Sequence, residues 1–338
     1  MNFIARQARH TDLASLVELT KQFTLLNLPS NPSVLERIIE RSEKSFAGQL
    51  PKSEAQYLFV IEDMETNRVV ASSMIIAKHG TDKEPHFCFQ IVAKEHFSKD
   101  IGIGFKHNVL RFKENKDGPT EIGGLLVDKA YRTRPEKIGR LISLVRFVYM
   151  SHAPENFEEE VLCELSPPLT PEGRSEFWEA LGRRFTGLPY AEADQISQTN
   201  KEFITSLFPR EDIYISLLEA KARLDVGRIA EATEPAKHML EKIGFHYLNE
   251  VDPFDGGPHY GAKLKEIRVV QNTRVLQLAF DETDKFEGQA IVAAITESGF
   301  VATTSAYAIQ EDKVSLPAHT KKLLQIVEGQ EVYLCPID

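Results

Sequence analysis

The sequence predicts an α/β protein: a mixed sheet flanked by helices, in two related halves, with a small β-rich appendage at the C-terminus. Three observations carry this. Amphipathic helical runs alternate with short apolar runs through most of the chain. "RSEFWEALGRRF" (Arg174 to Phe185) and "PAKHMLEKIGFHY" (Pro235 to Tyr247) share one local grammar, in which an apolar-spaced helix runs into a glycine and then an aromatic. From about Arg268 onward the runs become short and β-rich. The expected segments are therefore 1–190, 191–267 and 268–338.

Taken in order, Phe3 to Arg6 reads as a strand. "HTDLASLVELTKQF" follows as a helix with Thr11 or Asp12 as N-cap and apolar residues at Leu13, Leu16, Val17, Leu19 and Phe23. Pro32 to Phe46 is a second helix, with proline in its first turn. Tyr57 to Glu62 and Val69 to Ala77 form a hairpin around Glu65 to Asn67. Strands are expected at Glu84 to Ala93, Ile122 to Val127 and Glu160 to Leu165, and helices at Arg140 to Ser151 and Ser175 to Leu181. In the tail, "TRVLQLAF", "GQAIVAAIT", "GFVATTSAYAI" and "KVSLPAHTKKLLQIVEGQEVYLCPI" read as β-rich runs with a glycine turn before the last strand, suited to packing or subunit contact.

The composition excludes several classes. With 338 residues, 42% hydrophobic and 27% charged, the chain supports one large or two modest cores. Its longest apolar runs are too short and too mixed with polar residues to cross a bilayer. "MNFIARQARH" has no apolar core of signal-peptide length, so export is not expected and the cytoplasm is. Cys88, Cys163 and Cys335 lack paired spacing, which fits buried thiols rather than disulfides or a metal site, and no metal is expected. A formal net charge of −10 argues against nucleic acid and anionic membrane as partners.

One stretch opposes that global sign. "LLVDKAYRTRPEKIGRLISLVRFVYM" (Leu125 to Met150) passes from an apolar strand into a loop carrying Lys129, Arg132, Arg134 and Lys137, then into an amphipathic helix beginning near Gly139 and Arg140. The free N–H groups and dipole of a helix N-terminus attract anions, and arginine and lysine add charge-assisted hydrogen bonds. A small phosphate ligand fits this better than a polyanion, which needs a broad basic face.

The opening "FIARQARHTDLASLVEL" (with Arg6, Ala8, Asp12 and Leu13) resembles the first strand and helix of the GNAT acyltransferases, and "RPEKIGRL" stands where they carry a pyrophosphate loop. "LPKSE" (Leu50 to Glu54), "SEFWEALGRRF", "KEFITSLFPREDIY" and "FDGGP" (Phe254 to Pro258) narrow this: the chain resembles the arginine N-succinyltransferase family from end to end. The resemblance implies transfer of succinyl from succinyl-CoA, a co-substrate rather than a resident cofactor, to the α-amine of arginine or a related amine. It implies a homo-oligomer or pairing with a homologous subunit. It also places the CoA pyrophosphate at Arg132, Arg134, Lys137, Gly139 and Arg140, and the acyl-CoA along Leu125 and Val127.

Glu164 and Asp255 are the substrate-side candidates, among nearby acids that include Glu121 and Asp252. Asp255 also suits a plain turn, since Asp-Gly-Gly is good turn chemistry. The chain departs from the family pattern at Lys137, where the loop has its first glycine, at Ser166, where it has arginine, and at Ala230, where it has the histidine regarded as proton donor. The catalytic residue is therefore unassigned. His259 is the one replacement acid to test, and His86 stands among scattered histidines. Ala230 also admits an alternative, a catalytically weak or silent CoA-binding partner subunit, and Ser166 and Lys137 admit changed substrates.

Overall fold

The computed structural model describes residues 2–22, 28–197, 200–279 and 285–337. Phe23 of the expected first helix and Phe280 of "TRVLQLAF" lie outside them. In chain order the elements are strand β1 (Phe3–Gln7), helices α1 (Leu13–Thr20) and α2 (Pro32–Phe46), then strands β2 (Gln56–Asp63), β3 (Arg68–Ile76), β4 (His86–Ser98), β5 (Ile103–Asn115) and β6 (Thr120–Val127). Helix α3 (Ile138–His152) and strand β7 (Glu160–Glu164) precede the short helices α4 (Glu176–Ala180), α5 (Gly182–Thr186), α6 (Tyr190–Ser197) and α7 (Glu202–Leu207). Next come β8 (Ile213–Tyr214), α8 (Ala220–Asp225), α9 (Glu234–Lys242), β9 (His246–Val251) and β10 (Pro258–Lys263). The chain closes with α10 (Arg268–Asn272), β11 (Arg274–Leu278), β12 (Gly288–Thr296), β13 (Gly299–Gln310), β14 (Lys313–Ser315), α11 (Ala318–Leu324) and β15 (Glu331–Pro336). Among the described residues no helix is long and apolar enough to cross a membrane.

Two compact units emerge, and neither is a continuous segment. Residues 1–78, 120–159 and 263–338 form the first, and residues 79–119 and 160–262 the second. The expected boundaries near 190 and 267 do not coincide with them, because the chain leaves the first unit at 78, returns to it, and leaves again at 159.

In the first unit the strands run β12-β15-β11-β14-β13-β1-β2-β3-β6. The C-terminal segment is not an appendage here: β13 pairs antiparallel with β1, Ala5 standing opposite Ala302, and the tail strands extend one sheet. Their alternating apolar residues bury one face, with Ile4, Val292, Val301, Val314 and Leu334 in a common core. Leu16, Leu19, Leu35 and Ile39 of α1 and α2 cover Leu58 and Val60 of β2. Asn31 caps α2 by accepting the Ser33 N–H at 3.0 Å, with Pro32 at the first helical position. Asp12 precedes α1, but its carboxylate is taken by the buried Arg6 guanidinium at 2.7 and 2.8 Å and by the Arg9 N–H at 2.8 Å. It therefore anchors β1 to α1 instead of capping the helix.

In the second unit the order is β7-β10-β9-β4-β5-β8. Its core is aromatic: Phe89, Phe112, Phe177, Trp178, Phe208 and Phe254 pack together, with Trp178 stacked on Phe254 at 5.1 Å. Phe177 and Trp178 are thus core residues, as their helical spacing suggests. The repeated helix–glycine–aromatic grammar holds in one place only. After α9, Gly244 has φ +112° and β9 follows, whereas Gly182 sits between two helical turns against Trp178, whose ring atoms a Cβ would meet at 2.3 Å. The first glycine serves packing and the second ends a helix.

Strand β5 and helices α6, α7, α8 and α11 have no counterpart in the sequence reading. The outer half of the β4–β5 hairpin, from Lys94 to Lys106, is exposed on both faces over most of its length, so it lacks the polar–apolar alternation that marks a half-buried strand. The short helices span eight residues or fewer, too few for a helical period to stand out. All three cysteines are buried free thiols.

Candidate active site

In the first unit β6 leads into the basic loop. Its ladder with β3 runs Val127 opposite Ala71 and Leu126 opposite Ser72, then slips before Gly123 meets Met74. Gly124, with φ +58°, sits in this bulge, and a Cβ there would lie 3.1 Å from the Met74 Cβ. The half-buried Leu125 and Val127 flank the buried Leu126 on this strand. The fully buried Arg146 of α3 donates to the Ser143 carbonyl at 3.0 Å and to the Gly123 carbonyl at 3.4 Å, fastening the helix to the bulged strand. Arg146 was missed in the sequence because it reads as one more charge on an amphipathic helix.

Past β6, the Asp128 side chain accepts the Ala130 N–H at 2.9 Å and a short turn carries Tyr131, whose hydroxyl donates to Asp63 at 2.8 Å. The guanidinium of Arg134 lies 4.0 Å from the centroid of that Tyr131 ring, so the arginine stands on a fixed aromatic platform. Arg132, which donates to the Val127 carbonyl at 3.2 Å, Arg134 and Lys137 are exposed, and Arg140 is half-buried.

Lys137 decides the shape of the turn. It is the N-cap of α3 with φ +52° and ψ +48°, the left-handed region that glycine enters freely and a side-chain-bearing residue enters at about 1–2 kcal/mol. Lysine holds this left-handed geometry here without a glycine. The Arg140 and Leu141 N–H groups donate to the Lys137 carbonyl at 2.8 and 3.2 Å. Those of Ile138 and Gly139 have no acceptor among the described residues. The half-buried Gly139 faces Val127, whose Cγ2 would lie 3.7 Å from an added Cβ. Two free N–H groups, a helix dipole and exposed cations are a combination that favours a nearby anion.

The second unit gathers a different set. Glu164 ends β7, and the next residue, Leu165, donates its N–H to the Pro258 carbonyl at 3.1 Å, which brings β7 beside His259 of β10. The Nε2 atoms of His86 and His259 approach the same oxygen, Glu164 Oε1, at 3.4 and 3.5 Å. The two rings stack at 5.4 Å, and His79 meets His86 edge-on at 4.7 Å. His259 is fully buried and His86 nearly so, while the Glu164 side chain keeps 31% of its exposure and its Oε2 has no hydrogen-bond partner among the described residues.

Burial drives the imidazolium of His86 down to about 4, so that ring is neutral near pH 7. Burial alone pushes the Glu164 carboxyl up, but the adjacent His86, His259 and His79 rings outweigh it and hold Glu164 ionised, below the usual carboxylate range.

Asp255 and Asp252 do other work. Asp252 Oδ1 accepts the Phe254 and Asp255 N–H groups at 2.7 and 3.0 Å, and Asp255 Oδ1 accepts the Gly257 N–H at 2.8 Å, so both shape the "FDGGP" turn. Burial lifts Asp252 well above its ordinary value and Asp255 to about 7. The sign follows from proton linkage. Between pH ~4 and ~7 the folded chain holds an Asp255 proton that the unfolded chain has released, so this group's contribution to stability falls as pH rises through that window. His86 acts oppositely from about 4 to 6.5. Asp255→Asn keeps the acceptor for Gly257 and removes the charge. Its melting temperature relative to the parent chain is expected to rise between pH 5 and pH 8, and a pH-independent difference contradicts this assignment.

Against this geometry, the family model for the arginine N-succinyltransferase beta subunit matches residues 3–269. The chain belongs to the arginine N-succinyltransferase family. It is 32% identical over 294 residues to the arginine N-succinyltransferase of Escherichia fergusonii, covering 86% of this chain and 85% of that one. It is also 32% identical over 279 residues to that of Salmonella newport, covering 82% and 80%. The solved structure of arginine/ornithine succinyltransferase subunit AI from Pseudomonas aeruginosa superimposes with a TM-score of 0.86 at 26% identity, covering 99% of each chain.

Within this arginine N-succinyltransferase fold, the residues singled out from sequence fall into two groups. Leu125, Val127, Arg132, Arg134, Lys137, Gly139 and Arg140 share the β6–α3 turn of the first unit, while in the second Glu164 meets His259 and Asp255 stands in the turn before β10. Ala230 is half-buried, and its N–H donates to the Ser166 carbonyl at 2.9 Å, two residues beyond Glu164. His238, by contrast, is exposed on α9 beside Glu234 and Glu241. His79 went unnoticed and His86 was read as scattered, because nothing in their spacing points to Glu164 or His259.

Proposed function

We propose that this chain transfers the succinyl group of succinyl-CoA to the α-amine of arginine or a related amine. Family membership supports the reaction class, and one observation carries the reading further: a strand, a left-handed N-cap and a helix N-terminus with two free N–H groups, ringed by Arg132, Arg134 and Lys137 in a chain of net charge −10. The pyrophosphate of CoA takes those N–H groups and cations, and the acyl-thioester arm runs along Leu125 and Val127. Glu164, ionised and partly exposed, receives the cationic acceptor through Oε2. Asp255, engaged in its own turn, is left to shape the loop.

The amine nitrogen attacks the thioester carbonyl directly, and collapse of the tetrahedral intermediate expels the CoA thiolate. No cysteine nucleophile is invoked: all three thiols are buried, and burial pushes that of Cys88 far above its ordinary range. Succinyl-CoA is a co-substrate, and no resident cofactor enters the scheme. The cytoplasm, where thiols stay reduced, is the proposed compartment. Assembly as a homo-oligomer or with a homologous chain is in keeping with the Pseudomonas aeruginosa relative's description as a subunit.

The test is release of free thiol from succinyl-CoA in the presence of arginine, with acetyl-CoA and other amines in parallel. Thiol release that requires both succinyl-CoA and arginine is expected. Release from none of the donors, in protein that still binds CoA, would leave a ligand-binding subunit in place of an enzyme.

A further inference from the structure

The imidazoles of the second unit are more numerous than acyl transfer needs, and their spacing is unusual. Hydrogen bonds between an imidazole N–H and a carboxylate normally span about 2.7–3.2 Å. Here Nε2 of His86 and Nε2 of His259 stand 3.4 and 3.5 Å from one oxygen, Glu164 Oε1. Two donors that each sit about 2.0–2.1 Å from one tetrahedral ion are separated by roughly 3.3–3.4 Å. The separation of His86 from Glu164 matches an edge of such a tetrahedron better than it matches a hydrogen bond.

A second observation is independent of these distances. His86 is 5% exposed, and its Nε2 is buried with no partner in hydrogen-bond geometry, a costly arrangement for a polar atom unless something else fills the gap. His79 completes the group: its donor atom, that of His86 and a carboxylate oxygen of Glu164 all lie within 4.8 Å of one another.

The backbone holds His79 in place. Its N–H donates to the Pro119 carbonyl at 2.7 Å and the Gly118 N–H donates to the Gly80 carbonyl at 3.2 Å. A Cβ on Gly118 would fall 1.9 Å from the His79 carbonyl oxygen, and one on Gly80 would fall 2.7 Å from that of Asn115. Only glycines allow the two segments to close this tightly. The partial exposure of His79 and Glu164 leaves a route of entry for an ion.

We propose that His79, His86 and Glu164 form a binding site for a divalent first-row transition ion, with zinc the best fit. Two imidazoles and one carboxylate are borderline nitrogen and oxygen donors that zinc accepts, and three protein ligands leave the fourth position of the tetrahedron open. Cys88 and Glu250 also gather near His259, but Glu250 is already paired with Lys113 at 3.2 Å, and Asp252 already accepts two N–H groups. Those two acids are therefore outside the site. With Oε1 on the ion, Glu164 keeps Oε2 for another partner. No sequence pattern points to this, because Glu164 lies far along the chain from His79 and His86.

The experiment needs no measurement of acyl transfer, so its outcome is separate from that of the proposed reaction. The full chain is stripped with chelator and titrated with Zn²⁺ alone by calorimetry, with Co²⁺ as a spectroscopic probe of tetrahedral coordination. One Zn²⁺ per chain is expected, with ligand-field bands for the Co²⁺ form. His86→Ala and His79→Ala are each expected to weaken Zn²⁺ binding about 100-fold or more, while Glu250→Gln leaves it unchanged. If His86→Ala does not fold, His79→Ala on the partly exposed loop decides alone. Absence of Zn²⁺ binding by the parent chain, or binding that the His79 variant retains in full, overturns the proposal.

Discussion

Replacing Ala230 with histidine is expected to raise kcat for succinyl transfer by about 10²–10⁴, the usual contribution of one positioned acid or base. The departing CoA thiolate and the attacking ammonium both require proton transfer, and the family resemblance implies a histidine where this chain has a methyl group. The local backbone accepts the change. Ala230 has φ −65° and ψ 143°, which any residue adopts, and it precedes the short turn Glu231–Thr233. Its N–H stays tied to the Ser166 carbonyl at 2.9 Å. Because the pyrophosphate turn belongs to the other unit, KM for succinyl-CoA is expected to stay within a factor of a few while kcat rises and the pH–rate profile gains an imidazole limb. An unchanged kcat with an unchanged pH profile shows instead that the chain moves its protons through another group.

The second large effect is on the donor. Arg134→Ala combined with Lys137→Ala is expected to weaken CoA binding about 10²–10⁴-fold, since each charge-assisted hydrogen bond contributes roughly 1.5–3 kcal/mol and the two cations have no direct contact that would couple them strongly. Arg134 loses its guanidinium and the Tyr131 platform loses its cation. Lys137→Gly separates side chain from backbone: it keeps the left-handed N-cap, relieves about 1–2 kcal/mol of backbone strain and gives back most of that through the greater freedom of glycine in the unfolded chain. Calorimetry with CoA on the three variants reads both contributions. If the Gly variant binds like the parent, backbone N–H groups hold the phosphate. If it binds like the double variant, the lysine ammonium does.

How much of this was legible without a structure depends on whether the signal was local. The β6–loop–α3 turn was, because an apolar run, a cluster of cations and a helix start occur within 26 residues, whereas the left-handed N-cap at Lys137 was not, since nothing local marks a lysine for positive φ. The first hairpin and α2 were equally clear, since their periods match their burial. The histidine cluster was not. His79, His86, Glu164 and His259 converge only because β4, β7 and β10 belong to one sheet and two glycines close the loop at His79, and no period within a single element encodes that. The interleaving of the two units was hidden for the same reason: the pairing of β13 with β1 joins residues about 300 apart. Arg146 and the outer β4–β5 hairpin show the complementary failure, a buried charge and an exposed strand that each reverse the polarity rule on which the reading depends.

The proposed reaction needs a CoA-binding turn in a chain whose overall charge repels anions. Its most direct measurement is calorimetric titration of the unmodified chain with CoA at low and at raised salt. The prediction is saturable binding, one CoA per chain, that weakens as salt screens Arg132, Arg134 and Lys137. Absence of binding at low salt, or binding that neither salt nor the Arg134 and Lys137 substitutions disturb, would contradict it.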